Sequence, residues 1–283
     1  MEDRKIDSRD WSALSPGERI RQVELEGYLM IPDILSPEQV ARLKAQAATW
    51  ESNPRDYSEH QRSTSNVEFR GGAVTELLAH PPTMAFLRQV FGSEIVFIRA
   101  GCDRSEPGTP GISLHTDGQP YGSTIFGYQG SCPFTIRVLY YLDDLTMDVS
   151  PFRVVPRSHL CMHADANPYK RYERHPEEVV VPCRAGSALF LNHRTFHGTL
   201  PNVGSRSRTM ISAAYRPAWA GPISPVEQWN EADLAGLPPD VRPLFADPNT
   251  RYWDFEVPNK PAGMAQTAPG MDPSRWEREG EGD

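Results

Sequence analysis

The stretch Leu114-His115-Thr116-Asp117-Gly118 sets an imidazole and a carboxylate two residues apart, and Phe196-His197-Gly198-Thr199 brings a second histidine later in the chain. On a strand, residues i and i+2 face the same side, so His115 and Asp117 would present their side chains to one point. Two histidines and one carboxylate form a donor set that occupies one face of an octahedral Fe(II) ion and leaves positions for a co-substrate and O2. Arg208 supplies what a carboxylate co-substrate needs, since a guanidinium grips a carboxylate through two parallel hydrogen bonds worth about 1.5–3 kcal/mol in a secluded pocket. The residues around Leu200-Pro201-Asn202-Val203-Gly204 suit a reversal between two strands. A reversal centred between Asn202 and Val203 would set His197 opposite Arg208, with Cβ atoms about 5 Å apart. Neither residue is expected on a strand unless it is paired, exposed or functional.

Three residue sets compete with this reading. His163-Ala164-Asp165 repeats the His-x-Asp pattern inside a loop-like insertion with no strand around it, and is read as surface. His193 shares the parity of His197 on an expected strand over 187–197. His197 is preferred because it precedes a glycine at the strand end and sits opposite Arg208 in the expected pairing. Arg206 shares the parity of Arg208, but lies nearer the turn, where a solvated rim position is expected.

The elements that must position these residues are legible from pattern. Ser15-Pro16-Gly17-Glu18 and Ser36-Pro37-Glu38-Gln39 both open helices with a capping serine, a proline in the first turn and Glu or Gln three residues on. Val40, Leu43, Ala47 and Trp50 give the second helix an apolar stripe for core packing. Tyr28 to Pro32 reads as a brief strand, Glu51 to Asn66 as a polar stretch, and Pro82 to Phe91 as a helix stopped by Gly92. From Glu94 onward, short apolar runs separated by Gly, Pro and Asp replace the helical period. Strands are expected at 94–100, 112–117, 134–142, 152–155, 178–182, 187–197 and 207–215. Seven or eight such strands imply a mainly β fold of the jelly-roll type with helices packed outside. The insertions 118–132 and 161–177 are long loops on that scaffold, where function tends to sit. Trp219, Trp229 and Trp253 suit a short-helix cover. One domain is expected over 1–255, and a disordered tail over 256–283, which is rich in Pro, Gly and Glu.

The chain has 283 residues, 39% hydrophobic and 23% charged, with a formal net charge of -8. A chain this acidic offers no broad basic face to nucleic acid or an anionic membrane. It has neither a long apolar run nor an apolar leader after the charged start, so it is read as soluble and cytoplasmic. Cys102, Cys132, Cys161 and Cys183 lack C-x-x-C spacing, and reduced thiols are expected.

The order of pieces resembles the phytanoyl-CoA dioxygenase family of Fe(II)/2-oxoglutarate oxygenases, over roughly residues 20–216. The matching pieces are Gly27-Tyr28-Leu29-Met30-Ile31-Pro32 before the Ser-Pro-Glu-Gln helix, His115-Thr116-Asp117, Tyr141-Leu142-Asp143-Asp144, Arg153-Val154-Val155-Pro156-Arg157-Ser158-His159, His197-Gly198-Thr199 and Arg208. The resemblance implies a double-stranded β-helix in which His115, Asp117 and His197 hold iron. It gives Arg208 the distal carboxylate of 2-oxoglutarate, with Thr199 at a small-hydroxyl position near the same co-substrate. Thr135, Arg137, Leu139 and Tyr141 share one parity on a central strand and are taken as lining, the first three toward the co-substrate. Tyr121, Tyr141 and Arg157 are taken toward the substrate. Two departures stand out: Val149-Ser150 replaces the family's Asn-Gly turn, and Arg157 replaces the glycine of Pro-Gly-Ser-His.

What the resemblance implies is oxidation of an unactivated C-H bond of a small molecule, most simply hydroxylation, with O2 consumed and succinate and CO2 released. Asp117 disfavours halogenation, because related halogenases carry a small residue there. Two alternatives are a catalytically silent β-barrel that binds a small metabolite, and an oxygenase acting on a protein side chain. Lys170, Arg171 and Arg174 form the one compact basic cluster near the insertions that a CoA thioester would need. Their acidic neighbours Glu173, Glu177 and Glu178 favour a solvated loop instead. The expected assembly is a monomer or homodimer.

Overall fold

The structure, a computed structural model, describes residues 4–117, 135–160, 174–220 and 228–246. Eleven strands among these form two antiparallel sheets. They are β1 (Tyr28–Ile31), β2 (Asn53–Arg55), β3 (Ser58–Ser65), β4 (Ile95–Ser105), β5 (Ile112–His115), β6 (Ile136–Tyr141), β7 (Phe152–Val154), β8 (Val179–Val181), β9 (Ala188–Asn192), β10 (His197–Thr199) and β11 (Arg208–Pro217). The large sheet runs β1-β9-β6-β11-β4-β3-β2 and the small one β5-β10-β7-β8. The result is the expected mainly β fold, a double-stranded β-helix with flanking helices.

Both faces of the large sheet are covered, and the period of two sorts its side chains. On β6 the even positions face outward onto α3 (Gly72–Leu78) and α4 (Pro81–Phe91). There the Tyr140 hydroxyl donates to Thr83 Oγ1 at 2.8 Å, the Tyr215 hydroxyl donates to the Leu78 carbonyl at 2.9 Å, and Phe86 meets Phe190 edge-on at 4.9 Å. Full burial of an aromatic of this size contributes about 1.5–3 kcal/mol, so this layer fixes the sheet on which the inner residues stand. The odd positions Arg137, Leu139 and Tyr141 face a cavity between the two sheets.

The capped helices form as expected. Helix α1 (Pro16–Arg21) carries the reciprocal Ser15 and Glu18 hydrogen bonds, continues as a π turn to Glu26 and stops at Gly27 with φ +84°. Helix α2 (Pro37–Ala47) carries the Ser36 and Gln39 pair. Trp229 packs with Phe97 and Phe245 beside α5 (Glu231–Ala235), whereas Trp219 is 63% exposed, and Trp253 and the expected tail lie outside the described residues. Cys102 and Cys183 are free thiols. Among the described residues no helix is long and apolar enough to cross a membrane.

Three expectations need correction. The expected strand over 187–197 is two strands in different sheets: Asn192 Oδ1 accepts the Arg194 amide, the Thr195 amide donates to the Asn192 carbonyl, and the chain turns between β9 and β10. His197 therefore does not pair with Arg208. It lies opposite His115 and Val154, while Arg208 lies opposite Ser105 in the large sheet, because the 200–207 connection crosses from one sheet to the other. The polar stretch from Glu51 to Asn66 forms β2 and β3; its strands carry no apolar alternation because Gln61, Ser63 and Ser65 face the polar cavity.

Candidate metal and co-substrate site

His115 ends β5 and His197 begins β10, and the register of the small sheet sets them side by side with ring centroids 4.4 Å apart. Each imidazole is fixed through Nδ1, which lies 2.8 Å from the Ser113 carbonyl in His115 and 3.0 Å from the Thr195 carbonyl in His197. A carbonyl only accepts, so Nδ1 carries the proton and Nε2 keeps its lone pair for a metal. Phe152 stacks on His197 at 5.7 Å and holds the ring plane.

Asp117 follows β5, and its amide donates to the His193 carbonyl at 2.7 Å. Its carboxylate oxygens stand 3.8 Å from His115 Nε2 and 3.5 Å from His197 Nε2. Candidate ligand atoms of His115, Asp117 and His197 all lie within 4.8 Å of one another, and this is the one such group of three among the described residues. Arg137 forms an ion pair with Asp117 and reaches Ser212 Oγ at 3.3 Å. His193, the rival for the third ligand, is turned away: its Nδ1 bonds the Thr135 carbonyl at 3.2 Å. Burial, and then the charge of Arg194, hold its pKa down at about 3, so it stays neutral.

Arg208 is 1% exposed on β11. Its Nη2 donates to Ser105 Oγ at 2.8 Å, and that hydroxyl donates to Gln61 Oε1 at 2.6 Å. The guanidinium lies 5.8 Å from the Tyr141 ring centre. Its Nε and the Gln61 Nε2 are buried without a hydrogen-bond partner, and among the described residues no carboxylate reaches ion-pairing distance of Arg208. A buried cation left without an anion costs several kcal/mol, so the site is built for an anionic ligand. Thr199 lines the same cavity; its Oγ1 accepts the Ile112 amide at 3.0 Å, which leaves its own proton to donate.

The structure brings together most of the residues singled out from sequence. His115, Asp117, Arg137, Leu139, Tyr141, His197, Thr199 and Arg208 all line one cavity. Thr135 stands behind it, holding His193 through its carbonyl. Arg157 is outside it, on an exposed turn 3.6 Å from Glu26. Arg206 is an exposed rim residue bonded to Thr146. Tyr121 and His163-Ala164-Asp165 lie outside the described residues. Sequence reasoning missed Gln61 and Ser105; the signal for Gln61 was an odd-numbered polar row, Gln61, Ser63 and Ser65, inside the polar stretch, and Ser105 had none.

Residues 23–210 match the family model of phytanoyl-CoA dioxygenase (PhyH). No curated protein matches the chain in sequence. Among solved structures, the non-heme alpha ketoglutarate dependent epimerase SnoN from nogalamycin biosynthesis is similar at 22% identity and TM-score 0.61, over 74% of this chain and 82% of that one. The carbocyclase SnoK from the same biosynthesis is similar at 20% identity and TM-score 0.59, over 75% of this chain and 87% of that one. HygX from Streptomyces hygroscopicus, with nickel and 2-oxoglutarate bound, is similar at 19% identity and TM-score 0.59, over 80% and 95%. At such identities these likenesses establish the fold.

Proposed function

The chain belongs to the phytanoyl-CoA dioxygenase family, and from that premise we propose that it is an Fe(II)/2-oxoglutarate-dependent oxygenase that oxidises a C-H bond of a small molecule, with hydroxylation as the outcome. The observation that carries the reading is the pairing in one cavity of a His-Asp-His donor group with a buried arginine that lacks an anion. The donor set fits iron, since two imidazoles with free Nε2 and one carboxylate are the ligands such an ion takes. Iron with 2-oxoglutarate supplies the oxidising chemistry, consuming O2 and releasing succinate and CO2.

The chain's own residues do the positioning. The Ser113 and Thr195 carbonyls set the imidazole tautomers, and Arg137 with the His193 carbonyl holds Asp117 in place. Arg208 takes the distal carboxylate of 2-oxoglutarate, with Gln61 Nε2 and the Thr199 hydroxyl as further donors. Leu139, Phe152 and Met210 line the apolar part of the walls.

A small-molecule substrate is supported by solved neighbours whose complexes contain nogalamycin RO and hygromycin B. Neighbours described as an epimerase and a carbocyclase mark the other outcomes that product analysis must separate. A silent binding barrel is less well supported, because binding alone does not call for three converging metal donors. Fe(II)-dependent conversion of 2-oxoglutarate to succinate tests the proposal. Asp117→Ala should abolish it while the circular dichroism spectrum stays unchanged; full turnover in that variant would remove Asp117 from the metal site.

A further inference from the structure

We propose that Arg137 is a positioning residue that keeps Asp117 a one-oxygen ligand: by holding Oδ2 it gives a metal only Oδ1, so that one more coordination position stays open; this rests on the oxygenase reading above. The two Asp117 oxygens have different neighbours. Oδ2 is the one paired with Arg137 Nη1, and Oδ1 is the one that stands 3.8 Å from His115 Nε2. The Asp117 backbone is already held, through its amide, by the His193 carbonyl. What the side chain keeps is rotation about its Cβ-Cγ bond, a broad, two-fold torsion that would exchange the oxygens. The ion pair stops that rotation. Arg137 is itself tethered at its other end, because Nη2 lies 3.3 Å from Ser212 Oγ, on the residue diagonal to it across the β6-β11 ladder. Contacts through both terminal nitrogens fix the plane of the guanidinium. Both partners are largely buried, with side chains 20% and 12% exposed, so water does not loosen the pair.

Counting positions shows what the lock is for. An octahedral ion has six. His115, His197 and one oxygen of Asp117 fill three, and a 2-oxoglutarate bound through two oxygens fills two more, which leaves one for O2. A carboxylate that turns both oxygens to the metal fills that last position. Charge bars the same outcome, since a divalent ion on Oδ2 would sit against the guanidinium it repels. Arg137 therefore lowers the affinity of the site for a bare metal ion and raises its capacity for the co-substrate. A residue that merely supported the fold would move both affinities in the same direction.

Ni(II) tests the inference on the full-length protein, first alone and then with 2-oxoglutarate. In the infrared difference spectrum between Ni(II)-loaded and metal-free protein, a one-oxygen carboxylate ligand shows widely separated antisymmetric and symmetric stretches, and a chelating one shows a narrow separation. The unmodified protein should give the wide separation and Arg137→Met the narrow one. By calorimetric titration, Arg137→Met should bind Ni(II) at least about threefold more tightly and 2-oxoglutarate, added to the Ni(II) protein, about tenfold more weakly. Arg137→Lys should restore the wide separation and part of the 2-oxoglutarate affinity, because an ammonium still holds one oxygen. A wide separation in Arg137→Met, or weaker Ni(II) binding there, would overturn the lock. Should Arg137→Met fail to fold, Ser212→Ala carries the test: it frees one end of the guanidinium and should weaken 2-oxoglutarate about threefold without weakening Ni(II). Unchanged 2-oxoglutarate affinity in Ser212→Ala would then overturn it. Failure of the unmodified protein to bind Ni(II) and 2-oxoglutarate would instead strike the oxygenase reading itself.

Discussion

Nδ1 of His197 donates to the carbonyl of Thr195 at 3.0 Å, so a residue two positions before β10 decides which imidazole nitrogen is left for a metal. Thr195 is itself held in a knot: its hydroxyl donates to the Gly27 carbonyl at 3.2 Å and lies 3.4 Å from His159 Nδ1. The candidate metal site is thereby tied to the turn that ends the N-terminal helix.

Gly27 should tolerate no side chain. At φ +84°, a Cβ there would meet Thr195 Oγ1 at 2.2 Å and His159 Nδ1 at 2.7 Å. Gly27→Ala should cost about 2 kcal/mol or more from backbone strain and overlap, and weaken Ni(II) binding about tenfold through the displaced Thr195 carbonyl. Gly17→Ala, whose Cβ meets open space, is the control. Calorimetric melting and metal titration check both, and a wild-type melting temperature for Gly27→Ala would refute the knot.

The two departures from the family pattern share a backbone cause. Ser150 and Arg157, which stand where the family has glycine, adopt φ +45° and +63°. Ser150 also buries a hydroxyl with no partner. Returning glycine should stabilise each site by about 0.5–1 kcal/mol, with Ser150→Gly the larger gain. Urea melts would contradict this if either variant proved less stable.

Acid should destabilise the protein through buried neutral histidines. Burial lowers the pKa of His159 to about 4, against an ordinary value near 6.5, and shifts His80 in the same direction. Below pH 6.5 the unfolded chain binds protons that the folded one refuses, so stability falls as pH drops from about 6.5 to about 4 and is flat above that window. His159 alone accounts for about 2 kcal/mol of loss at pH 5. In His159→Gln the slope of stability against pH should flatten; an unchanged slope would exonerate this residue.

Much of this was legible in the sequence for a physical reason. His115 and Asp117 are two apart at a strand end, and period two alone puts them on one side. The capping serines announced α1 and α2, and the parity of Arg137, Leu139 and Tyr141 announced a lining face. Strand partnership was not legible. His197 and Arg208 line one cavity from opposite sheets, and the ten residues between them read equally well as a hairpin or as a crossing between sheets. Arg157 illustrates another limit, because its charge suggested the substrate side while its place on an outer turn is fixed by backbone conformation. Strands β2 and β3 escaped because a strand facing a polar cavity has no apolar face to show.

Arg208→Lys should separate the co-substrate site from the metal site. A lysine keeps the charge but loses the planar fork, so 2-oxoglutarate affinity should fall about ten- to a hundredfold with Ni(II) affinity unchanged. Unaltered 2-oxoglutarate affinity by calorimetric titration would move the anchor elsewhere.

The central claim meets its most direct test in anaerobic titration of the protein with Fe(II) and 2-oxoglutarate, following visible absorbance. A weak charge-transfer band that saturates at one equivalent of each, and is lost in Arg208→Ala and Asp117→Ala, is the predicted result. Folded protein that binds both components without producing that band would contradict the account.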